Sequence, residues 1–321
     1  MRVFVTGATG FAGSHLVDDL LALGHDVYGL VYDAARPPFV DHNAFTAIPG
    51  DLLDLPSLKE AVATARPDVI YHLAGQALTA KSWQDPGRTI AVNTGGTANL
   101  LEAAVAYGRP RVVAVTSAEV YGRVSPDELP LTEASRPAPH HPYGVSKWAA
   151  GRLIPLYWER YSLPVLEARP FNHIGPGQAL GFVVPDFASQ LAAMKLGRQP
   201  PTISVGDLSA ERDFTDVRDV VRAYQCLAEK GRPGEAYLIC SGQAVPIHYL
   251  LDTLIEIAGV AVEVYYDPER MRPSDTPILF GSYARLQAAT GWQPRIHLRR
   301  SLEDAFADWM ERLAATGDEG R

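Results

Sequence analysis

Cysteine is scarce in this 321-residue chain: only Cys226 and Cys240 occur, and neither lies in a CxxC or metal-like neighbourhood. This excludes a disulfide framework and a cysteine-based metal centre, and it predicts two buried free thiols in a reducing compartment. No apolar run approaches the ~18 residues a membrane-spanning helix needs. The N-terminal stretch MRVFVTG enters a strand without a charged and then apolar leader. A cytoplasmic, soluble protein with no membrane partner is expected. No cluster of Lys and Arg marks a nucleic-acid surface, and the formal net charge is -8. Repeats and low-complexity tracts are also missing. What remains is an ordinary globular composition, 47% hydrophobic, long enough for one large core or two smaller ones.

The first element present is Arg2–Thr6, a β-rich run, followed by Gly7-Ala-Thr-Gly10-Phe-Ala-Gly13 and then helical apolar spacing through Ser14–Leu23. Strand, glycine loop and helix in that order form a dinucleotide-binding pattern, here spaced GxxGxxG. Gly7 permits the tight turn, Gly10 lets backbone N–H groups approach a pyrophosphate, and Gly13 lets the helix pack on the sheet. The helix N-terminus adds partial positive charge towards the phosphates. Asp26–Val31 reads as the second strand. Asp33 would favour NAD and Arg36 would favour NADP at its end, so the cofactor preference stays open between NAD(H) and NADP(H). Gly50-Asp51-Leu52 suits a loop closing over adenine.

Asp68–Leu73 and Arg111–Ser117 read as buried parallel strands, and Gly87–Tyr107 as a long helix carrying Asn93. Ala74-Gly75 are small enough to let a cofactor come close. Strands and helices alternate through the first ~170 residues, the pattern of a doubly wound α/β sheet of Rossmann type. A proline-rich loop containing Pro130, Pro137, Pro139 and Pro142 delivers the chain to a helix that runs to about Arg160. The expected organisation is a dinucleotide-binding domain over 1–170, a smaller α/β lobe over 171–313 with segments free to return to the first domain, and a disordered tail over 314–321.

Tyr143-Gly-Val-Ser-Lys147 opens that last helix. Four residues apart, the phenol and the ammonium share one helix face. A free tyrosine titrates near ~10 and is a weak acid–base catalyst at neutral pH. The nearby ammonium is expected to lower that value by favouring the phenolate. Ser117 stands at the carboxyl end of a predicted strand, where sheets of this kind bind ligands.

With Ser117, Tyr143 and Lys147 beside TGATGFAG, the chain resembles the extended short-chain dehydrogenases/reductases that act on nucleotide sugars. His72-Leu-Ala-Gly75, Asn93, Thr116–Gly122 and Arg212–Asp219 extend the likeness over nearly the whole chain. The resemblance implies a catalytic set of Ser117, Tyr143 and Lys147. It implies cofactor contacts at Gly7, Thr9, Gly10, Phe11, Ala12 and Gly13, at Tyr32, Asp51 and Leu52, and at Leu73, Ala74 and Gly75. Further contacts follow at Asn93, Thr116, Phe171, His173 and Ile174, besides Tyr143 and Lys147. The segment RPFNHIGPGQALGFVVPDFASQLA, with ERMRPSDTP, resembles reductases of GDP-linked 4-keto-6-deoxy sugars. That likeness implies substrate contacts at Glu119, Asn172, Lys195, Arg212 and Arg272. Arginine suits a diphosphate because its guanidinium makes bidentate hydrogen bonds to phosphate oxygens. No metal is expected.

Reduction of a C4 ketone needs hydride delivery and one proton donor, which Tyr143 and Ser117 supply. A 4,6-dehydratase needs further acid–base groups: Ala118 cannot transfer protons, but Glu119 can. A 4-epimerase and a non-catalytic NADP-sensing protein are the remaining alternatives. Relatives form dimers through the helices at Gly87–Tyr107 and Pro142–Arg160, so a homodimer is expected; Leu100, Leu101, Trp148 and Leu153 are apolar enough to contribute, and packing within the chain explains them equally well.

Overall fold

The computed structural model describes residues 1–32, 45–267 and 276–316. Its strands are β1 (Arg2–Thr6), β2 (Asp26–Val31), β3 (Thr46–Pro49), β4 (Val69–His72), β5 (Arg111–Val115), β6 (Val165–Pro170) and β7 (Asn172–Ile174). They continue as β8 (Thr202–Val205), β9 (Glu211–Asp216), β10 (Ala236–Ile239), β11 (Ala244–Pro246), β12 (Glu263–Tyr266) and β13 (Ile278–Leu279). The first helices are α1 (Phe11–Ala22), α2 (Leu55–Ala65), α3 (Thr79–Gln84), α4 (Pro86–Ile90), α5 (Gly96–Ala106) and α6 (Pro142–Tyr161). After them come α7 (Val183–Lys195), α8 (Val217–Lys230), α9 (Ile247–Ala258), α10 (Ala284–Thr290) and α11 (Leu298–Thr316).

Seven parallel strands form the main sheet in the order β10-β6-β5-β4-β1-β2-β3. The order reverses between β1 and β4, which opens a crevice at their carboxyl ends. Val3, Phe4 and Val5 are completely buried, so both faces of β1 are covered. That explains why it reads as a continuous apolar run rather than an alternating one. On one face lie α1 and α8, whose Val17, Leu20, Val220 and Tyr224 share a core with β1, β4 and β6. The other face carries α2, α5 and α6, joined through Leu58, Leu100, Leu101 and Ile154.

A second core lies between α7, α9 and α11, built from Leu191, Leu250, Leu254 and Phe306 among others. A small sheet of β11, β9, β13 and β7 flanks it, and β8 pairs separately with β12. The chain is not divided cleanly near residue 170: α8 and β10 return to the first core and to the edge of the main sheet.

Two helix boundaries position the site. Gly10 is extended (φ -83°, ψ 175°) and starts α1 without a side-chain cap. His141 caps α6, with Pro142 at the first helical position, where a missing N–H costs nothing. The predicted helix over Gly87–Tyr107 is present but interrupted: Ala91–Gly95 forms a π turn between α4 and α5. Such turns insert an extra residue and redirect side chains, frequently at functional sites. Of the two roles open to Leu100 and Leu101, dimer contact or internal packing, the structure shows the second: both are 0% exposed and belong to the core, and Leu153 packs against the same cluster. Trp148 remains 40% exposed.

Candidate active site

The glycine turn and the loop after β4 meet at the crevice. Gly7 has φ 76°, and a Cβ there would lie 2.8 Å from the Ala74 nitrogen. A Cβ on Gly13 would lie 1.9 Å from the Gly7 carbonyl oxygen, so α1 packs on the turn only because that side chain is missing. The first turn of α1 holds neither a capping side chain nor an acidic residue. Its N–H groups therefore suit a pyrophosphate, and the cradle fits the dinucleotide that the sequence implies. Phe11 stacks on His173 (ring centroids 5.7 Å apart, planes at 6°), which ties the glycine loop to the segment after β6.

A hydrogen-bonded chain fixes the floor of the crevice. The Thr97 hydroxyl donates to the Asn93 carbonyl at 2.6 Å and lies 2.9 Å from His72 Nε2. With its proton used on Asn93, Thr97 accepts from Nε2–H. His72 Nδ1 then accepts from the Thr6 hydroxyl at 2.7 Å. Burial, and the positive charge of Lys147, lower the His72 pKa to about 3, so the ring stays neutral. The side chain of Asn93, turned inward by the π turn, accepts from Gln76 N–H (2.8 Å) and donates to Gln76 O (3.0 Å) and Ser146 Oγ (2.9 Å). It thereby fastens the segment after Gly75 to the helix that carries Tyr143 and Lys147.

Tyr143 is 9% exposed and Ser117 is 8% exposed, and the Ser117 hydroxyl lies near enough to the phenol to favour its ionised form. Lys147 Nζ donates to the Val115 carbonyl at 2.9 Å. Tyr143 shifts upward, against the lowering expected from Lys147. Burial pushes the phenol up to about 12; the nearby Ser117 hydroxyl opposes this, and the charge of Glu119 adds to it. Burial also lowers Lys147 to about 8, against the pull of Glu167. A phenol in this setting stays protonated at neutral pH.

Glu119 lies in the turn after Ser117, and its N–H donates to Ser117 Oγ at 3.1 Å. Its carboxylate meets His141 Nε2 at 2.9 Å. Burial raises its pKa, the His141 hydrogen bond and the positive charge of Arg212 lower it, and the balance lies below the usual carboxylate range. Arg212, on β9, reaches the site from the second core, and Asn172 starts β7 nearby in the same small sheet.

Other expected contacts land elsewhere. Lys195 Nζ donates to the Ala258 carbonyl at 2.8 Å and faces the Phe306 ring, so it closes the end of α9 rather than entering the crevice. Thr116 turns its hydroxyl to Glu167 Oε1 at 2.6 Å, inside the protein. The side chains of Phe171 and Ile174 are buried in separate apolar clusters, which leaves only their backbone for a ligand. Leu52 packs against Gly96 in the core instead of closing over a ligand, while the Asp51 carboxylate accepts from Leu53 N–H at 2.9 Å and braces its own turn. Tyr32 is exposed at the end of β2, and Thr9, Ala12, Leu73 and Gly75 stay around the crevice. Arg272, Asp33 and Arg36 lie outside the described residues.

Sequence reasoning missed two features. His141 escaped because histidine is not a usual N-cap residue, although the Pro142 behind it was a legible signal. The buried Glu167 escaped as one acidic letter in an apolar strand. It accepts two hydrogen bonds from Arg169, both at 2.8 Å, and lies where a Cβ on Gly151 would come within 2.5 Å.

The glycine turn and the Tyr143–Lys147 pair thus stand on either side of the crevice at the carboxyl ends of the strands, and the chain is a short-chain dehydrogenase/reductase. Within this class it belongs to the GDP-mannose 4,6 dehydratase family, whose model matches residues 4–305. It is 41% identical to a GDP-6-deoxy-D-mannose reductase of Pseudomonas aeruginosa, over 97% of this chain and 98% of the relative. It resembles the solved structure of RMD from Pseudomonas aeruginosa complexed with NADPH, with TM-score 0.85 and 40% identity over 97% of this chain and 99% of that one. A UDP-glucose 4-epimerase of Thermotoga maritima, solved with UDP-glucose, matches with TM-score 0.89 and 28% identity over 98% and 100% of the two chains.

Proposed function

We propose that this enzyme reduces the C4 ketone of a GDP-4-keto-6-deoxyhexose, converting GDP-4-keto-6-deoxy-D-mannose to GDP-D-rhamnose with NADPH or NADH. The observation that carries this reading is the buried Tyr143 phenol close to Ser117, with Lys147 one turn along the same helix. The reductase relative supports the substrate. Reduced nicotinamide, when bound, supplies the hydride. Ser117 hydrogen-bonds the ketone oxygen, and Tyr143 gives its proton to that oxygen as the alcohol forms. The Lys147 ammonium stands one helical turn away to hold the nicotinamide ribose. Arg212 and Asn172 face the diphosphate and base. Residues 1–170, with α8 and β10, hold the cofactor; the remainder of 171–313 holds the nucleotide sugar.

The test is oxidation of NADPH or NADH against a panel of GDP- and dTDP-4-keto-6-deoxy sugars. Turnover confined to the GDP compounds is expected, and no turnover with any of them refutes the reading. The ionised Glu119 favours one second reading, a 4,6-dehydratase. Formation of 4-keto product from GDP-mannose without added reductant would establish it.

The exposed stripe Val145, Trp148 and Leu156 on α6 supports a homodimer built on this helix. Cys226 and Cys240 are both free, which supports a cytoplasmic setting.

A further inference from the structure

His141 touches both the helix of the proton donor and the carboxylate beside it. Gly144 N–H donates to its Nδ1 at 3.0 Å, at the first turn of α6. A ring nitrogen that accepts a backbone N–H carries no proton, so the proton of the neutral imidazole sits on Nε2. Nε2–H points at Glu119 Oε2, 2.9 Å away. The ring is nearly parallel to that of Tyr143, with planes at 10° and centroids 6.1 Å apart. His141 is 6% exposed, and there is little room around it: a Cβ on Gly144 would lie 3.2 Å from its Cε1 and 2.6 Å from the Glu119 carbonyl oxygen. The Glu119 side chain is 35% exposed, so the carboxylate keeps an open side.

We propose that His141 is a positioning residue for the reduction: one edge of its imidazole caps the helix of Tyr143, and the other holds the Glu119 carboxylate beside that tyrosine. The proposal rests on the reductase reading above. Among the described residues, four groups face Glu119: His141 and His140 from the segment before α6, Tyr143 from α6, and Arg212 from β9. His141 donates a hydrogen bond to the carboxylate and also fixes the backbone of the Tyr143 turn. The consequence is positional. Tyr143 keeps its proton at neutral pH without help from Glu119; the ionised carboxylate is the acceptor that orients a hydroxyl of the bound sugar, and so the ketone, against the phenol. Without the Nε2 donor, burial of the carboxyl is less opposed and Glu119 takes up a proton at higher pH.

His141→Ser separates the two contacts. Serine caps a helix N-terminus well and cannot reach Glu119 as an imidazole does. The variant is expected to keep its melting temperature within about 3 °C and its cofactor Kd within about twofold. Its kcat is expected to fall about tenfold, and the acidic limb of its kcat profile to move up by about one pH unit. In a Glu119→Gln background the same substitution should change kcat less than about twofold, because the group it positions has been neutralised. An equal loss in both backgrounds overturns the proposal, as does a loss accounted for by unfolding. His141→Asn, another good cap, replaces the serine variant if that one does not fold. A readout without substrate is the ¹⁵N spectrum of the His141 ring at pH 7. Nε2–H with bare Nδ1 supports the pair, and the opposite tautomer overturns it. Absence of turnover in the wild type would refute the reductase reading, and the ring spectrum would still decide whether the His141–Glu119 pair exists.

Discussion

Replacing Asn93 with alanine tests the link between the cofactor segment and the catalytic helix. The amide makes three hydrogen bonds, to both backbone groups of Gln76 and to Ser146 Oγ. Gln76 is half-buried, so water can re-satisfy part of what it loses. Ser146 is completely buried but still donates to the Tyr143 carbonyl at 2.7 Å, so its loss is one acceptor interaction only. At about 1 kcal/mol for each bond, and more where water is excluded, the cost comes to about 2–3 kcal/mol. For a chain of this size that lowers Tm by about 3–4 °C. Activity should fall further than stability implies. With the tether cut, the Gly75–Gln76 segment and Lys147 no longer share a fixed spacing, and misplacement by ~1 Å costs up to ~100-fold in rate. The expectation is a kcat reduced about 10- to 100-fold at saturating NADPH, read by cofactor oxidation on the GDP-4-keto sugar, alongside the Tm shift in a thermal melt. A variant with Tm within about 1 °C of wild type and kcat within about twofold would refute the tether.

Tyr143→Phe should retain cofactor binding by fluorescence titration and lose about 10²- to 10⁴-fold in kcat, since it removes the proton donor alone. Gly13→Ala should abolish measurable cofactor binding in the same titration, because its Cβ would lie 1.9 Å from the Gly7 carbonyl oxygen and one backbone must move. Lys147 is lowered to about 8, so its ammonium is present below that pH and lost above it. The KM for NADPH should therefore rise as pH climbs through about 8, while kcat at saturation stays level because Tyr143, at about 12, keeps its proton. Trp148→Glu should give a monomer by light scattering at micromolar concentration with its circular dichroism unchanged, since the ring is 40% exposed and not part of the core.

The sequence by itself determined the alternation of strands and helices, the glycine turn between β1 and α1, and the adjacency of Tyr143 and Lys147 on one helix face. These are local properties. Backbone periodicity and turn chemistry span a few residues and leave their signature in those residues. Tertiary structure decided what each group experiences. Burial raised the phenol that Lys147 was expected to acidify, and the Val115 carbonyl took the ammonium. It sent Lys195 to the end of α9, and it settled Leu100 and Leu101, which the sequence left open between dimer contact and internal packing, in the core. It also brought His141 to Glu119 across 22 positions and Asn93 to Ser146 across 53. Desolvation and long-range hydrogen bonding depend on which distant segments close over a side chain, and no single stretch of sequence contains that information.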